Sequence, residues 1–114
     1  MERFSRRKTF WRRMPKSFER KPIKVTPDSA LKFLKPGDMA FDPMLLRFAE
    51  QFVDKESVVW DIGANVGVFS LASAVRGGKV LAIEADPWLY TLLLETSRHR
   101  ENRALFDLDR KSVV

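Results

Sequence analysis

The spacing of apolar residues changes from a helical to a strand-like period at Ser57, and back again after a glycine-containing turn. Before Ser57, apolar positions recur every three or four residues, which predicts an amphipathic helix over about 43–53. Asp42 is its predicted N-cap, and Pro43 suits its first helical position. We expect an apolar stripe that faces the core along Met44, Leu45, Phe48, Ala49, Phe52 and Val53.

The segment "SVVWDI" (57–62) predicts a strand that is apolar on both faces, as is typical of the centre of a parallel sheet. Small and apolar residues over about 66–75 then predict a helix that ends at Gly77. A second strand, "KVLAIEA", precedes a second helix, which begins with an Asp-Pro cap and spans about 86–102. This order predicts a βαβ unit followed by a helix, with "ALFDL" as the one further strand candidate.

Composition limits the size and class of the protein. The chain has 114 residues, 45% of them hydrophobic and 32% charged, which indicates one small globular domain. It contains no cysteine, which excludes disulfides and cysteine-based zinc sites, and we predict no metal site. No apolar run approaches the roughly 18 residues of a membrane-spanning helix, so we expect a soluble, cytoplasmic protein.

The net charge of +6 is unevenly distributed. Residues 1–24 form a basic N-terminal arm with ten basic and two acidic residues, whereas the remaining chain has a net charge of −2. Its apolar residues (Phe4, Trp11, Met14 and Phe18) could share one face of a helix that Pro15 would kink. Such a helix could bind nucleic acid or anionic lipid, or resemble a transit peptide. The default expectation is a solvated extension whose aromatic residues pack on the domain.

The proline-containing segment that follows, 25–41, predicts a loop with one short helix or strand.

The turn after the first strand reads Gly63-Ala64-Asn65-Val66-Gly67. It matches neither the GxGxxG fingerprint of dinucleotide-binding proteins nor a P-loop. Two glycines and an asparagine still let a ligand approach the backbone, as suits a cofactor with little phosphate. Glu84 ends the second strand, where a carboxylate can accept both hydroxyls of a ribose. Asp61 could orient the turn or attract a cationic group.

These segments resemble the start of the FkbM family of methyltransferases, over about residues 40–106. The family's acidic residue followed by GxNxG is present, as is the acid that closes its second strand. The resemblance implies an α/β, Rossmann-like class I methyltransferase fold, S-adenosylmethionine as cofactor, and methyl transfer to a hydroxyl of a small molecule or carbohydrate. The cofactor-binding residues that it implies are Asp61, Gly63, Ala64, Asn65, Gly67 and Glu84.

The family's sheet has seven strands with the first in the middle, and this chain reaches about the third. We therefore expect residues 42–108 to be the N-terminal, cofactor-binding part of a methyltransferase domain, truncated after its first βαβα unit and inactive alone. No catalytic base can be named from this part of a domain, and we expect His99, the one histidine, to be a surface residue. One set of codons for residues 109–114 reproduces the start of a common sequencing adapter, so we hypothesise an artefactual tail.

Two other functions remain open at this stage. The arm could make the protein a basic module that binds nucleic acid or a membrane surface, with the βαβ unit as scaffold. The turn could instead belong to another nucleotide-dependent enzyme, such as a reductase, although the GxNxG spacing argues against it.

Overall fold

The structure, a computed structural model, describes residues 8–27, 41–103 and 105–109. Short 3₁₀ turns lie at Lys16–Phe18 and Arg100–Asn102. The helices and strands in chain order are β1 (Phe10–Arg13), β2 (Pro22–Val25), α1 (Pro43–Phe52), β3 (Val58–Ile62), α2 (Val68–Val75), β4 (Lys79–Ile83), α3 (Pro87–Arg98) and β5 (Asp107–Asp109).

The main sheet is parallel, with the strand order β3-β4-β5, which confirms the predicted α/β class. The strand predicted from "ALFDL" is β5, although it starts later and extends to Asp109. Asp109 pairs with Ile83, and its carbonyl accepts the Glu84 N–H at 3.1 Å. The first residue of the predicted tail is therefore part of the sheet, while 110–114 lie outside the described residues.

Both predicted Asp-Pro helix starts are confirmed. The Asp42 side chain accepts a hydrogen bond from the Met44 N–H at 2.9 Å, at the start of α1. Asp86 caps α3 by accepting from the backbone N–H groups of residues 88 and 89. Gly77, which follows the C-cap of α2, has φ +98°, a conformation that a residue with a side chain rarely adopts. These local signals set the bounds of the three helices.

The expectation that β3 is buried on both faces is wrong for the residues that the structure describes. Here β3 pairs with β4 alone and forms an edge of the sheet. Val58, Trp60 and Ile62 alternate onto one face and are 72%, 68% and 56% exposed. Val59 points to the opposite face and packs against the core, because side chains alternate along a strand. An apolar sequence indicates which faces suit burial, but neighbouring strands and helices must supply it.

The predicted stripe of α1 is also partly wrong. The buried positions of this helix and its C-cap are Leu46, Ala49 and Val53. Met44, Phe48 and Phe52 are exposed, and the ring of Phe48 lies 4.7 Å from that of Phe52 and 5.8 Å from that of Phe69 on α2. The helix therefore has two apolar faces, and only one of them contacts the core.

The described part of the basic arm forms a β-hairpin rather than the helix that its apolar spacing allowed. β1 and β2 pair antiparallel from Phe10↔Val25 to Arg13↔Pro22. The prolines explain the difference, because Pro15 follows β1 and Pro22 begins β2 at positions where a helix would be interrupted. The hairpin buries four apolar side chains in the same core cluster as the helices, namely Met14, Phe18, Ile23 and Val25. Phe4 lies outside the described residues.

Polar contacts join this hairpin to α3 and the 3₁₀ turn beyond it. The Lys24 N–H donates to Thr96 Oγ1 at 2.8 Å. The buried Asn102 Nδ2 donates to the carbonyls of Pro22 and Thr96 at 2.7 and 2.9 Å. Arg13 forms a two-bond ion pair with Glu101 at 2.9 and 3.0 Å. The described part of the arm is thus a structural layer of the domain.

Candidate functional site

The turn after β3 is held by the end of β4. The N–H groups of Gly63 and Ala64 both donate to the carbonyl of Ile83, at 2.8 and 3.0 Å. The Asn65 N–H donates to Glu84 Oε1 at 2.6 Å. The carboxyl ends of two adjacent parallel strands therefore meet at this turn, which is where open α/β sheets bind ligands.

Glu84 is the central side chain of this site. It is only 8% exposed, and its second oxygen, Oε2, accepts the Asp86 N–H at 2.9 Å. One carboxylate thus joins the turn to the first residues of α3. An ionised carboxylate has about four acceptor positions, so two remain after these bonds. They can accept the two hydroxyls of a ribose, as the sequence predicts for Glu84.

Asn65 supplies an unpaired polar group to the same site. Its backbone has φ +59°, a left-handed conformation that asparagine tolerates. Its Oδ1 atom is buried and has no hydrogen-bond partner among the described residues. Because buried polar atoms are nearly always bonded, this amide suits a ligand that brings its own hydrogen-bonding group.

The two glycines of the turn have different surroundings, although both have positive φ. A Cβ at Gly63, where φ is +75°, would meet no atom within 4 Å, so open space lies beside the backbone there. A Cβ at Gly67, where φ is +101°, would lie 2.5 Å from Leu93 Cδ1 on α3. Gly63 leaves room for a ligand, whereas Gly67 lets α3 approach the start of α2.

Asp61 lies on β3 beside this turn, where Oδ2 accepts a 2.7 Å hydrogen bond from Ser70 Oγ on α2. Burial raises the pKa of Asp61, with a smaller contribution from the charge of Glu84, while the hydrogen bonds from Ser70 oppose the shift. The geometry gives Asp61 an orienting role between β3 and α2. Sequence reasoning missed Ser70, because a serine within a run of small helical residues carries no specific signal.

His99 lies at the other end of α3 from Glu84, and a helix of this length spans about 18 Å. Its Nδ1 accepts the Glu101 N–H at 3.1 Å, and its ring packs edge-on to Trp11 with centroids 5.0 Å apart. These contacts give it a capping role, in keeping with the predicted surface position. Trp88, the second residue of α3, is partly buried against the core.

Two absences hold for the described ranges 8–27, 41–103 and 105–109. No group of three or more histidine, aspartate or glutamate side chains is placed to hold a metal ion. No helix is both long and apolar enough to cross a membrane.

Comparison with known proteins yields one sequence relative and several structural neighbours. No protein-family model matches the chain. An uncharacterised protein of Methanocaldococcus jannaschii is 42% identical over 41 residues, which are 36% of this chain and 16% of that protein.

Three solved structures share the fold. The C-terminal domain of precorrin-6Y C5,15-methyltransferase from Rhodobacter capsulatus matches 75% of this chain with a TM-score of 0.56 and 17% identity. TYW2 of P. horikoshii, in complex with MeSAdo, matches 76% with a TM-score of 0.55 and 25% identity. A putative protein-L-isoaspartate O-methyltransferase of Plasmodium falciparum, in complex with S-adenosyl-L-homocysteine, matches 74% with a TM-score of 0.51 and 16% identity.

The chain spans 45%, 32% and 45% of these three structures, respectively, and thus less than half of each. The likeness confirms the Rossmann-like fold of S-adenosylmethionine-dependent methyltransferases. It does not identify the FkbM family, which stays a prediction.

Proposed function

We propose that the residues from β3 to β5 form the cofactor-binding part of an S-adenosylmethionine-dependent methyltransferase. One observation carries the proposal: Glu84 keeps two free acceptor positions beside the unbonded Asn65 Oδ1 and the open space at Gly63. The fold of the structural neighbours supports it, and two of those structures contain MeSAdo or S-adenosyl-L-homocysteine.

The residues fit this cofactor in specific roles. Glu84 would accept hydrogen bonds from the ribose hydroxyls, and the Asn65 amide would bond a polar group of the ligand. Gly63 would allow close approach to the backbone, next to the buried Ala64. Asp61, held by Ser70, would keep β3 and α2 in register beneath the ligand. When bound, S-adenosylmethionine supplies an electrophilic methyl group on its sulfonium.

The acceptor is a finer part of the same proposal. The resemblance to the FkbM family supports a hydroxyl oxygen of a small molecule or carbohydrate. The described residues offer no side chain placed as a general base, so catalysis would rest on holding the methyl group and acceptor in line. We also propose that the 114-residue chain alone binds the cofactor weakly and does not catalyse methyl transfer, since the described residues would contact the cofactor from one side only.

Ligand-observed NMR of the 114-residue chain with S-adenosylhomocysteine tests the proposal, because this method detects weak binding. We expect saturation transfer to the ribose protons, with no comparable signal from NAD. Glu84→Gln should abolish the transfer, because an amide has one oxygen for two backbone donors and the ribose. Glu95→Gln is the matched control, since Glu95 is an exposed residue of α3.

Two results would contradict the proposal. One is equal signal from NAD and S-adenosylhomocysteine, which would favour another nucleotide-dependent enzyme. The other is undiminished binding by a Glu84→Gln variant whose circular dichroism spectrum matches that of the parent chain. A separate assay for methyl transfer by the purified chain tests the predicted lack of turnover, and measurable turnover would refute that part alone.

A further inference from the structure

The hairpin and the end of α3 form a basic surface with an exposed aromatic ring at its centre. Residues 8–25 contain seven basic residues and a single acid. Trp11 is 42% exposed, and Lys24 Nζ lies 5.1 Å from the centre of its ring. We call the group Trp11, Arg13, Arg20, His99 and Arg100 the hairpin surface.

Two basic residues of the hairpin bind Glu101, one through its carboxylate and one through its backbone carbonyl. Arg13 Nη1 donates to the Arg20 carbonyl at 3.0 Å as well as pairing with Glu101. Lys21 Nζ donates to the Glu101 carbonyl at 3.0 Å. These bonds hold the hairpin turn, which includes Arg20, against the 3₁₀ turn that includes Arg100, and the Glu101 carboxylate is already paired with Arg13.

The positive charge exceeds the acids available to it. Glu101 and Glu95 are paired with Arg13 and Lys24. Within the described part of the chain, no ion pair involves Lys16, Arg20, Arg98, Arg100 or Arg103. Such an excess of basic side chains over acidic partners attracts phosphate groups, and arginine recognises them with planar, paired donors.

We propose that the hairpin surface binds single-stranded nucleic acid, with phosphates at Arg20 and Arg100 and a base stacked on Trp11. Exposed aromatic rings within a basic groove are the usual means of binding unpaired bases. An anionic membrane fits less well, because Met14, Phe18, Ile23 and Val25 are buried in the core, which leaves Trp11 as the one large apolar side chain that is strongly exposed in the described part of the hairpin. The proposal does not depend on the cofactor site, which adjoins the opposite end of α3.

Fluorescence anisotropy of a labelled twelve-nucleotide oligo-dT, titrated with the whole chain at several salt concentrations, tests the proposal. We expect an affinity that falls linearly on a log-log plot against salt, with a slope of about −0.7 for each phosphate neutralised. Trp11→Ala should weaken binding roughly 5- to 150-fold, and Trp11→Tyr should retain most of it.

Charge-reversal variants separate a local surface from overall charge. Arg20→Glu combined with Arg100→Glu should weaken binding and reduce the magnitude of the salt slope by about 1.4. Lys55→Glu combined with Lys79→Glu makes the same change in net charge at exposed residues away from the hairpin, and should retain the parent slope. Equal losses in the two double variants would overturn the proposal.

Two further outcomes would also overturn it. One is full binding by a folded Trp11→Ala variant, since base stacking would then contribute nothing. The other is Trp11-dependent binding to phosphatidylserine vesicles without binding to the oligonucleotide, which would show a membrane surface instead.

Discussion

Gly67→Ala tests whether packing between the turn and α3 holds the candidate site in shape. The new Cβ would lie 2.5 Å from Leu93 Cδ1, and Leu93 is fully buried, so its side chain has little room to move. Such overpacking costs about 1–3 kcal/mol. Alanine at φ +101° adds a backbone cost of about 1–2 kcal/mol, so we expect a total destabilisation of about 2–5 kcal/mol.

Gly63→Ala is the matched control, because it carries the backbone cost without the steric one. At Gly63 φ is +75°, but a Cβ would meet nothing within 4 Å, so we expect a loss of only about 1–2 kcal/mol. The difference between the two variants isolates the contact with Leu93. In a Leu93→Ala background that difference should disappear, because the atom that clashes is gone.

Urea denaturation followed by circular dichroism measures these free energies of unfolding. With a slope of about 2 kcal/mol per molar urea, the Gly67→Ala midpoint should fall by roughly 1–2.5 M. The reasoning is refuted if Gly67→Ala destabilises the protein no more than Gly63→Ala does. It is also refuted if the extra cost of Gly67→Ala persists unchanged when Leu93 is alanine.

Two other stability predictions follow from buried polar groups. Asn102→Ala should cost about 2–4 kcal/mol in thermal or urea unfolding, because it removes the bond to the Pro22 carbonyl and one of the two bonds to the Thr96 carbonyl, whereas exposed Arg103→Ala should stay within about 0.5 kcal/mol. Burial raises the pKa of Asp61 in the folded protein above the value of about 3.9 in the unfolded chain. The Asp61 carboxyl therefore contributes most to the free energy of unfolding below about pH 3.9, and this contribution is lost as the pH rises through the folded pKa. Asp61→Asn should therefore be increasingly more stable than the parent chain from pH 4 to pH 7 in urea titrations, and a pH-independent difference would contradict this.

The elements from α1 to α3 were predictable from local signals. Asp42 and Asp86 each precede a proline at a helix start, and the glycine turn separates a β-branched strand from a run of small residues. Glu84 was predictable because the strand that carries it ends next to the turn in any parallel arrangement. These features need only neighbouring residues or one crossover connection.

The hairpin was not predictable in the same way. Trp11, Met14 and Phe18 have spacings that suit a helix, while strand alternation over Phe10–Arg13 is too short to decide. Contacts distant in sequence determine the result, as with Asn102 and the Pro22 carbonyl, 80 residues apart. The exposure of Val58, Trp60 and Ile62 on one face of β3 and the steric role of Gly67 likewise depend on three-dimensional neighbours. The hydroxyl acceptor, cytoplasmic location and artefactual tail stay predictions.

The docking of the hairpin on α3 has a consequence for how the protein is made. Arg13 and Glu101 are 88 residues apart, so a ribosome adding about 5–20 residues per second adds Glu101 roughly 4–18 s after Arg13. Until then Met14, Phe18, Ile23 and Val25 have no complete core to enter. The first described element of the nascent chain is therefore among the last to reach its native contacts, and its apolar side is open to chaperones in the interval.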